Sequence, residues 1–592
     1  MSGHDDDVVG KAYDARLMRR LVSYLGPYRR QVTIAIGAII GHSILELVPP
    51  YLTKVVIDRY IPAGDLSGLG SMAAVYLATL VGAFGLEYLQ VWTMQLTGQR
   101  IMFDLRLQLY GHLQRLDLAF YDRNPVGRLM TRVTTDVDVL NELFTSGVVS
   151  VFGDLFTLVG IMAVLIWMDW RLALVAFSVL PIIAFITQWF RHNVRESYRT
   201  VRSWVARINA FLQERITGMA TAQLFRREAA DFEAFDQIDR SHRDANVQSI
   251  FYYAVFYPAI ELVSALAASL ILWTGGGWVF DDVLTLGSLV AFLQYSQRFF
   301  RPISDMSEKF NVLQGAMASS ERIFALLDTP VTISPNAETL QPFDVRQRSA
   351  DGGLIRFEHV TFAYTPDQPV LRDVSFEIRP GQRVGIVGAT GSGKTTLVSL
   401  LLRFYDIQQG RITIDGVDIR EMDLRDLRAR FGLVLQDVHL FSGTIADNVR
   451  LGRASITDED IEGALAAVHA DQFVRRFPDG IRTPVVERGA TLSVGQKQLL
   501  SFARALAFNA PVLILDEATS SVDTETELLI RDALKVLMRG RTTLAIAHRL
   551  STIQDMDHIL VMHRGQLRES GTHQELLAAQ GIYRRLYELQ FA

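Results

Sequence analysis

Six apolar runs, each near the roughly 20 residues a helix needs to cross the hydrocarbon of a bilayer, constrain this chain more than any other feature. They lie near 31–53, 70–94, 140–168, 171–192, 249–275 and 285–306. A core helix of a soluble protein can mimic one such run, but six in succession predict a membrane domain. The third and fourth are separated only by a short turn at Met168-Asp169-Trp170-Arg171, and the sixth is interrupted by Gln294, Gln297 and Arg298. Hydrophobic residues make up 49% of the 592 and charged residues 21%, with mean hydropathy +0.18, which also places part of the chain in lipid. A formal net charge of −5 gives no case for nucleic acid as a partner. The absence of cysteine excludes disulfides, thiolate metal sites and cysteine nucleophiles.

Charge placement predicts the orientation, because short cytoplasmic segments carry excess Lys and Arg. Between spans two and three stand Arg100, Arg106, Arg115, Arg123, Arg128 and Arg132. Between spans four and five stand Arg191, Arg195, Arg199, Arg202, Arg207, Arg215, Arg226 and Arg227. The loop between spans five and six has Asp281 and Asp282 and no basic residue. The N-terminus, both long segments and everything after span six are therefore expected in the cytoplasm. Residues 1–30 lack the short apolar core of a cleaved signal and read as a cytoplasmic lead-in. The long segments keep a helical pattern with no turn cluster at the bilayer edge, so spans two to five should continue as helices beyond it. Their expected tips are Phe120–Gly127, with its Asn-Pro and Gly turn signals, and Thr217-Gly218-Met219-Ala220.

The membrane domain is expected over 31–325, and a polar, Pro-containing, aperiodic stretch at 326–353 reads as a linker. From 354 to 592, β-rich runs such as RVGIVG, VLILD and TTLAIA alternate with helical patterns, which predicts an α/β domain with a largely parallel buried sheet. Gly388-Ala389-Thr390-Gly391-Ser392-Gly393-Lys394-Thr395 fits G-x-x-x-x-G-K-[ST] between a strand and a helix, the context such a phosphate loop requires. Glycines let consecutive N–H groups curl around phosphate oxygens, and the helix N-terminus adds its positive dipole end. Lys394 would meet the β/γ-phosphates and Thr395 would offer a hydroxyl to Mg²⁺. A chance Gly-rich turn is the competing reading. Val512–Leu515 then delivers Asp516 and Glu517 at a strand end. Asp516 suits a Mg²⁺ shell and Glu517 a general base, where two carboxylates could otherwise only cap a helix. His548 follows another apolar strand and could bond a γ-phosphate, although a lone histidine there is more often structural.

Leu492-Ser493-Val494-Gly495-Gln496 resembles the signature sequence of ABC ATPases, usually LSGGQ, and the resemblance extends over nearly the whole chain. Tyr364 is similar to the aromatic residue that stacks on adenine in that family. Gln436 resembles the loop glutamine that touches Mg²⁺ and the attacking water. Glu487-Arg488-Gly489 resembles the short exporter-type segment before the signature, and Ser520-Ser521-Val522-Asp523 the loop that crosses to the opposite subunit. The resemblance implies a six-helix exporter domain fused to an α/β phosphate-loop ABC ATPase domain, working as half of a dimer in the cell membrane. Its cofactors would be ATP and Mg²⁺. Catalysis would fall to Glu517, His548 and Gln436, and Mg²⁺ to Thr395, Gln436 and Asp516. Nucleotide would contact Tyr364, Gly388, Gly391, Ser392, Gly393, Lys394, Thr395, Thr396 and Asp516. In the other subunit's site it would contact Ser493, Gly495, Gln496 and Asp523. Export or leaflet flipping of small amphipathic molecules such as drugs or lipids is the implied activity, with a non-pumping channel or regulatory subunit as the alternative. Separate-chain importers, soluble ABC ATPases and peptide exporters with a cysteine protease do not match.

Val494 stands where the family usually has Gly. In heterodimeric exporters one chain often keeps a complete ATP face but carries an altered signature, so a heterodimer is expected, with a tolerant homodimer as the alternative. Glu46, Glu87, Asp154 and Glu261 fall within the expected spans, where ionisable residues invite a functional reading. With Phe251, Tyr252, Tyr253, Phe256, Tyr257, Phe292, Gln294, Tyr295, Phe299 and Phe300 they could form an aromatic cavity for amphipathic cations. Alternatively, these aromatics pack helices and the carboxylates sit near interfaces.

Overall fold

The computed structural model describes residues 14–333, 353–516, 524–546 and 553–591. They form two compact units. One takes the chain up to Gln114 together with Val126–Thr329, and the other takes Arg115–Pro125 together with the residues from Pro330 onward.

The first unit is helical. Helix α1 (Ala15–Ser23) is capped by the Asp14 carboxylate, which accepts from the Arg16 N–H at 2.7 Å. It precedes α2 (Arg29–Val55) and α3 (Leu66–Leu113). Short helices α4 (Leu118–Arg123), α5 (Val126–Val133) and α6 (Thr135–Glu142) lead through a π turn at Leu143–Gly147 into α7 (Val148–Met168). Then come α8 (Trp170–Phe177), α9 (Leu180–Thr217), α10 (Met219–Leu224), α11 (Glu228–Phe280) and α12 (Leu286–Leu327). Five described helical stretches are long and apolar enough to cross a membrane: Gly26–Tyr60, Leu66–Leu113, Val151–Met168, Trp170–Thr217 and Glu228–Phe280. Helix α12 is long enough at 42 residues, but its polar interruptions dilute its hydropathy. Helices α3 and α11 run 48 and 53 residues, about 72 and 80 Å, far beyond a 30 Å hydrocarbon slab, so the expected extensions are present. The expected tips are also there: α4 ends at Arg123 before Pro125, and α9 ends at Thr217 before Gly218.

Span three carries a π turn at Leu143–Gly147, and one span differs from the sequence reading. Span four breaks between Phe177 and Leu180, where Pro181 sits in the first turn of α9, a position that needs no N–H donor. Pro49 and Pro50 stay inside α2 without ending it. The missing N–H of Pro50 frees the Glu46 carbonyl, and Arg298 on α12 donates to that oxygen at 2.5 Å. The Tyr295 hydroxyl donates to the next carbonyl, that of Leu47. Near the N-terminal end of α12, Asp58 accepts from the Gly287 N–H at 2.7 Å and the Thr285 hydroxyl at 2.6 Å.

The second unit is α/β. A six-stranded sheet has the order β12-β11-β3-β10-β9-β6. Its strands are β3 (Arg383–Val387), β6 (Phe431–Val434), β9 (Val512–Asp516), β10 (Thr542–Ile546), β11 (His558–His563) and β12 (Gln566–Gly571), all parallel except β12. A second sheet, β2-β1-β4-β5, is antiparallel, from β1 (Ile355–Phe362), β2 (Leu371–Ile378), β4 (Gln409–Ile414) and β5 (Val417–Asp418). Strands β7 (Gly443–Thr444) and β8 (Pro484–Val485) form a small ladder. Strands β9 and β10 are buried along almost their whole length, as continuous apolar runs in a parallel sheet should be. Helices α13 (Lys394–Leu401), α14 (Leu424–Ala429), α15 (Ile445–Arg450), α16 (Asp458–Ala467), α17 (Asp471–Val474), α18 (Val494–Ala507) and α19 (Thr524–Met538) connect and cover these strands.

Candidate functional site

Register builds the site. Ile386 on β3 pairs with Ile546 on β10, which pairs with Asp516 on β9. The C-terminal ends of three parallel strands thus converge, the place where open α/β sheets bind ligands. From β3 the chain enters the Gly388–Gly393 loop. Gly391 and Gly393 have φ +78° and +101°, values that strain any residue with a Cβ. At Gly393 a Cβ would also lie 2.6 Å from Leu371 Cδ2, so glycine is required twice over. The loop closes with the Ser392 N–H on the Ala389 carbonyl at 3.1 Å and passes directly into α13.

Lys394, at the first position of α13, is 7% exposed. Its ammonium donates to the carbonyls of Gly388 (2.8 Å) and Ala389 (3.1 Å), curling back over the loop. Burial lowers its pKa, and the Asp516 carboxylate opposes that shift. The Ser392 hydroxyl is buried with no hydrogen-bond partner among the described residues, an orphan that a phosphate oxygen would satisfy. Thr395 is exposed beside it, and Asp516 stands half-buried at the end of β9. Glycine backbone, orphan hydroxyl, ammonium and carboxylate together fit a nucleotide phosphate with its metal ion. Glu517, Ser520, Ser521, Asp523 and His548 lie outside the described residues.

Tyr364 follows β1 and is 48% exposed. Its hydroxyl donates to Thr396 Oγ1 at 3.2 Å, which ties the ring to α13. Phe362 and Tyr405 support it edge-on, at centroid distances of 4.8 and 5.0 Å. The Tyr405 hydroxyl donates to Asp122 on α4, and Asp117 accepts from the backbone N–H groups of Thr332 (3.0 Å) and Ile333 (3.1 Å). Burial, with the Asp122 carboxylate second, pushes the Tyr405 phenol well above its ordinary pKa, so it remains a donor. This support of the aromatic platform by a residue from between spans two and three was not found from the sequence, because no local pattern links positions 122 and 405.

Gln436 is exposed, two residues beyond β6. The loop after it is pinned to α18: Arg504 donates to the His439 carbonyl at 3.3 Å and to the Asn448 carbonyl at 2.9 Å. Helix α18 begins with a capping box. Ser493 Oγ accepts from the Gln496 N–H at 3.2 Å, and Gln496 Oε1 accepts from the Ser493 N–H at 3.0 Å. Among the described residues the Ser493 hydroxyl proton has no acceptor, and the N–H groups of Val494 and Gly495 precede the first intrahelical bond. Gly495 is buried and Val494 is 55% exposed.

In the helical unit, Phe256, Phe292, Tyr295 and Phe299 are at most 4% exposed and belong to one packed core. Phe190 stacks on Phe256 at 4.0 Å. For these four the helix-packing reading holds over the cavity. Asp154 on α7 pairs with Lys309 on α12, a cation beyond the span expected from the sequence.

A phosphate loop, a strand-end carboxylate and a capped signature helix on one α/β unit, fused to membrane-length helices, define a membrane-bound ATPase. The family models agree: "ABC transporter transmembrane region" matches residues 32–303 and "ABC transporter" residues 371–520. The chain is 37% identical over 589 residues to an uncharacterized ABC transporter ATP-binding protein of Bacillus subtilis, covering 99% of this chain and 96% of that one. It is 40% identical over 519 residues to a fatty acid ABC transporter ATP-binding/permease protein of Mycobacterium tuberculosis, covering 88% and 81%. It is 37% identical over 533 residues to a probable multidrug resistance ABC transporter ATP-binding/permease protein of B. subtilis, covering 89% and 77%. A solved bacterial Atm1-family ABC exporter with ATP bound superposes with TM-score 0.78 at 27% identity, over 95% of this chain and 98% of that one. The chain belongs to the ABC transporter family, as an exporter-type protein with membrane and ATPase domains in one polypeptide.

Proposed function

We propose that this chain is half of an ATP-driven pump that moves amphipathic molecules out of the cytoplasmic leaflet, with its ATPase domain and N-terminus in the cytoplasm. The phosphate cradle supports this reading most strongly: Lys394 is already folded over the loop carbonyls, and the Ser392 hydroxyl lacks a partner among the described residues. ATP binds with adenine on Tyr364 and its phosphates within Gly388–Thr395. Mg²⁺, when bound to Thr395, Asp516 and Gln436, neutralises charge that develops on the phosphates. Glu517 takes the proton of the attacking water, and His548 bonds the γ-phosphate. The other face of the nucleotide meets the start of a second chain's signature helix, through Ser493-type and Gly495-type groups with Asp523 nearby. ATP thereby joins two ATPase domains, and its cleavage releases them.

Two short cytoplasmic helices carry the motion. Helix α4 does so through Asp117 and Asp122. Helix α10, whose flanks expose Ile216, Met219, Leu224 and Phe225, does so by seating on an ATPase domain. The partner is a second half-transporter, and a different one: Val494 places an exposed branched side chain where a phosphate must approach the backbone. Relatives named as fatty acid and multidrug transporters support an amphipathic substrate. Substrate-stimulated ATP hydrolysis by the purified complex, abolished by Glu517→Gln, tests the pump. Co-purification of a second, similar chain from native membrane tests the heterodimer. Family-typical hydrolysis and transport by this chain alone contradict it.

A further inference from the structure

The ion pair between Asp154 and Lys309 joins two helices of the membrane unit, α7 and α12. Gly153 faces Ile39 of α2, where an added Cβ would lie in ordinary contact, 3.6 Å from an Ile39 methyl. Ile39 is nine residues above Arg30 at the basic start of α2, about 14 Å at helical rise. Counted from the other end, Asp154 is 14 residues, about 21 Å, from Met168, so it lies in the cytoplasm-facing half of a hydrocarbon slab about 30 Å thick. Charges at that depth are costly, and they face protein or an aqueous cavity rather than lipid.

The geometry of this pair differs from that of a structural pin. Elsewhere on α12, Arg322 holds Asp136 with two donors, at 2.9 and 2.5 Å, and Ser319 adds a third at 2.9 Å. The Asp136 side chain is only 4% exposed. Asp154 and Lys309 share one contact among the described residues, and their side chains stay 30% and 16% exposed. The remaining ammonium protons and carboxylate lone pairs have no described protein partner. A compact ammonium on a flexible four-carbon stem can also exchange one anion for another without backbone movement.

Arg298 lies eleven residues before Lys309, three helical turns, so the two cations occupy one stripe of α12 about 16 Å apart. Arg298 is exposed and spends one N–H on the Glu46 carbonyl freed by Pro50; among the described residues no carboxylate pairs with it. The buried aromatics described above leave no cation-binding cage at Phe256, Phe292, Tyr295 and Phe299.

We propose that Lys309 recognises the anionic headgroup of the transported amphiphile, a carboxylate or phosphate, with Asp154 as its exchangeable counter-ion and Arg298 as a further cation on the same stripe toward the outer leaflet. The inference rests on the pump reading and specifies its substrate class. A headgroup entering from the inner leaflet displaces Asp154, and the vacated carboxylate supplies the drive for its later release by reclaiming Lys309.

The two partners should respond with opposite sign. The test uses the full-length transporter, purified from native membrane with any chain that accompanies it, in phosphatidylcholine nanodiscs. ATP hydrolysis is measured against oleate, oleyl phosphate, uncharged monoolein and cationic tetraphenylphosphonium. Oleate or oleyl phosphate should stimulate, and whichever does so identifies the headgroup. Lys309→Gln should raise its half-saturating concentration about tenfold or more, the loss of one charge-assisted bond, while Lys309→Arg should restore most of the response. Asp154→Asn should lower that concentration several-fold, because it removes the competing anion. Equal losses from Lys309→Gln and Asp154→Asn toward all four compounds would show a structural pin and overturn the proposal. So would stimulation by tetraphenylphosphonium or monoolein alone. A wild-type complex with no ATP hydrolysis at all would instead overturn the pump reading on which the proposal rests.

Discussion

Tyr405→Phe isolates the link between the aromatic platform at Tyr364 and helix α4. The ring, and with it the edge-on support of Tyr364 at 5.0 Å and the tilted contact with Phe362 at 5.8 Å, is retained. Only the hydroxyl that donates to Asp122 is removed. A hydrogen bond to a charged group is worth about 1.5–3 kcal/mol when shielded. Asp122 is exposed, so water replaces part of it, and about 1 kcal/mol is expected. That corresponds to about a fivefold change. If α4 carries the signal, substrate-stimulated ATP hydrolysis should fall about fivefold while the KM for ATP shifts less than about twofold, because the adenine platform keeps its shape. Asp122→Asn should do the same, and the double variant should be no worse than either single one, a coupling near 1 kcal/mol in a double-mutant cycle. Additive effects, to within about 0.3 kcal/mol, would refute the reasoning. So would a rise in KM equal to the loss in rate.

Glu517→Gln should leave ATP binding intact and lower turnover by about a hundredfold or more, the usual scale for a lost general base; substantial residual hydrolysis would mean the base is misassigned. Val494→Gly should raise the ATPase rate of the native complex by restoring close backbone approach to phosphate, and an unchanged rate would count against a weakened signature. Lys394 gives a pH prediction. Its pKa is lowered by burial, so between that value and the ordinary lysine value the unfolded chain binds the proton more tightly, and apo stability from this group rises with pH. Bound phosphates reverse the shift. ATP binding at alkaline pH should therefore take up protons, which calorimetric titration in two buffers of different ionisation heat detects; proton release would contradict it.

Legibility followed sequence locality. The phosphate loop and the Asp516 strand end each lie within a few residues, so spacing alone places them; the segment at Ser493 was legible by resemblance, while the capping box it forms was not found from the sequence. The break at Asp169 and the tips at Asn124-Pro125 and Gly218 were legible for the same reason. Pro181 departs from the sequence reading, whereas Pro49 and Pro50 lie inside the expected span 31–53 as they do inside α2. Pro181 begins a helix inside what reads as one span. Pro49 and Pro50 sit within α2, where Arg298 covers the carbonyl that Pro50 frees. Contacts across the chain stayed hidden, including Tyr405 with Asp122, Arg504 with the loop after Gln436, and Lys309 with Asp154. The aromatic residues of spans five and six show the limit plainly. Composition places them in a membrane helix but does not say whether a ring faces a cavity or a neighbour, and packing puts Phe256 and Phe292 against neighbours.

The account depends on nucleotide being enclosed by two polypeptides. A structure of the native complex carrying Glu517→Gln, with ATP and Mg²⁺, tests that directly. The γ-phosphate beside Lys394 should lie within hydrogen-bond distance of the first turn of the other chain's signature helix, with the two ATPase domains in contact. Phosphates touched by one polypeptide only, with the domains apart at saturating ATP, would contradict it.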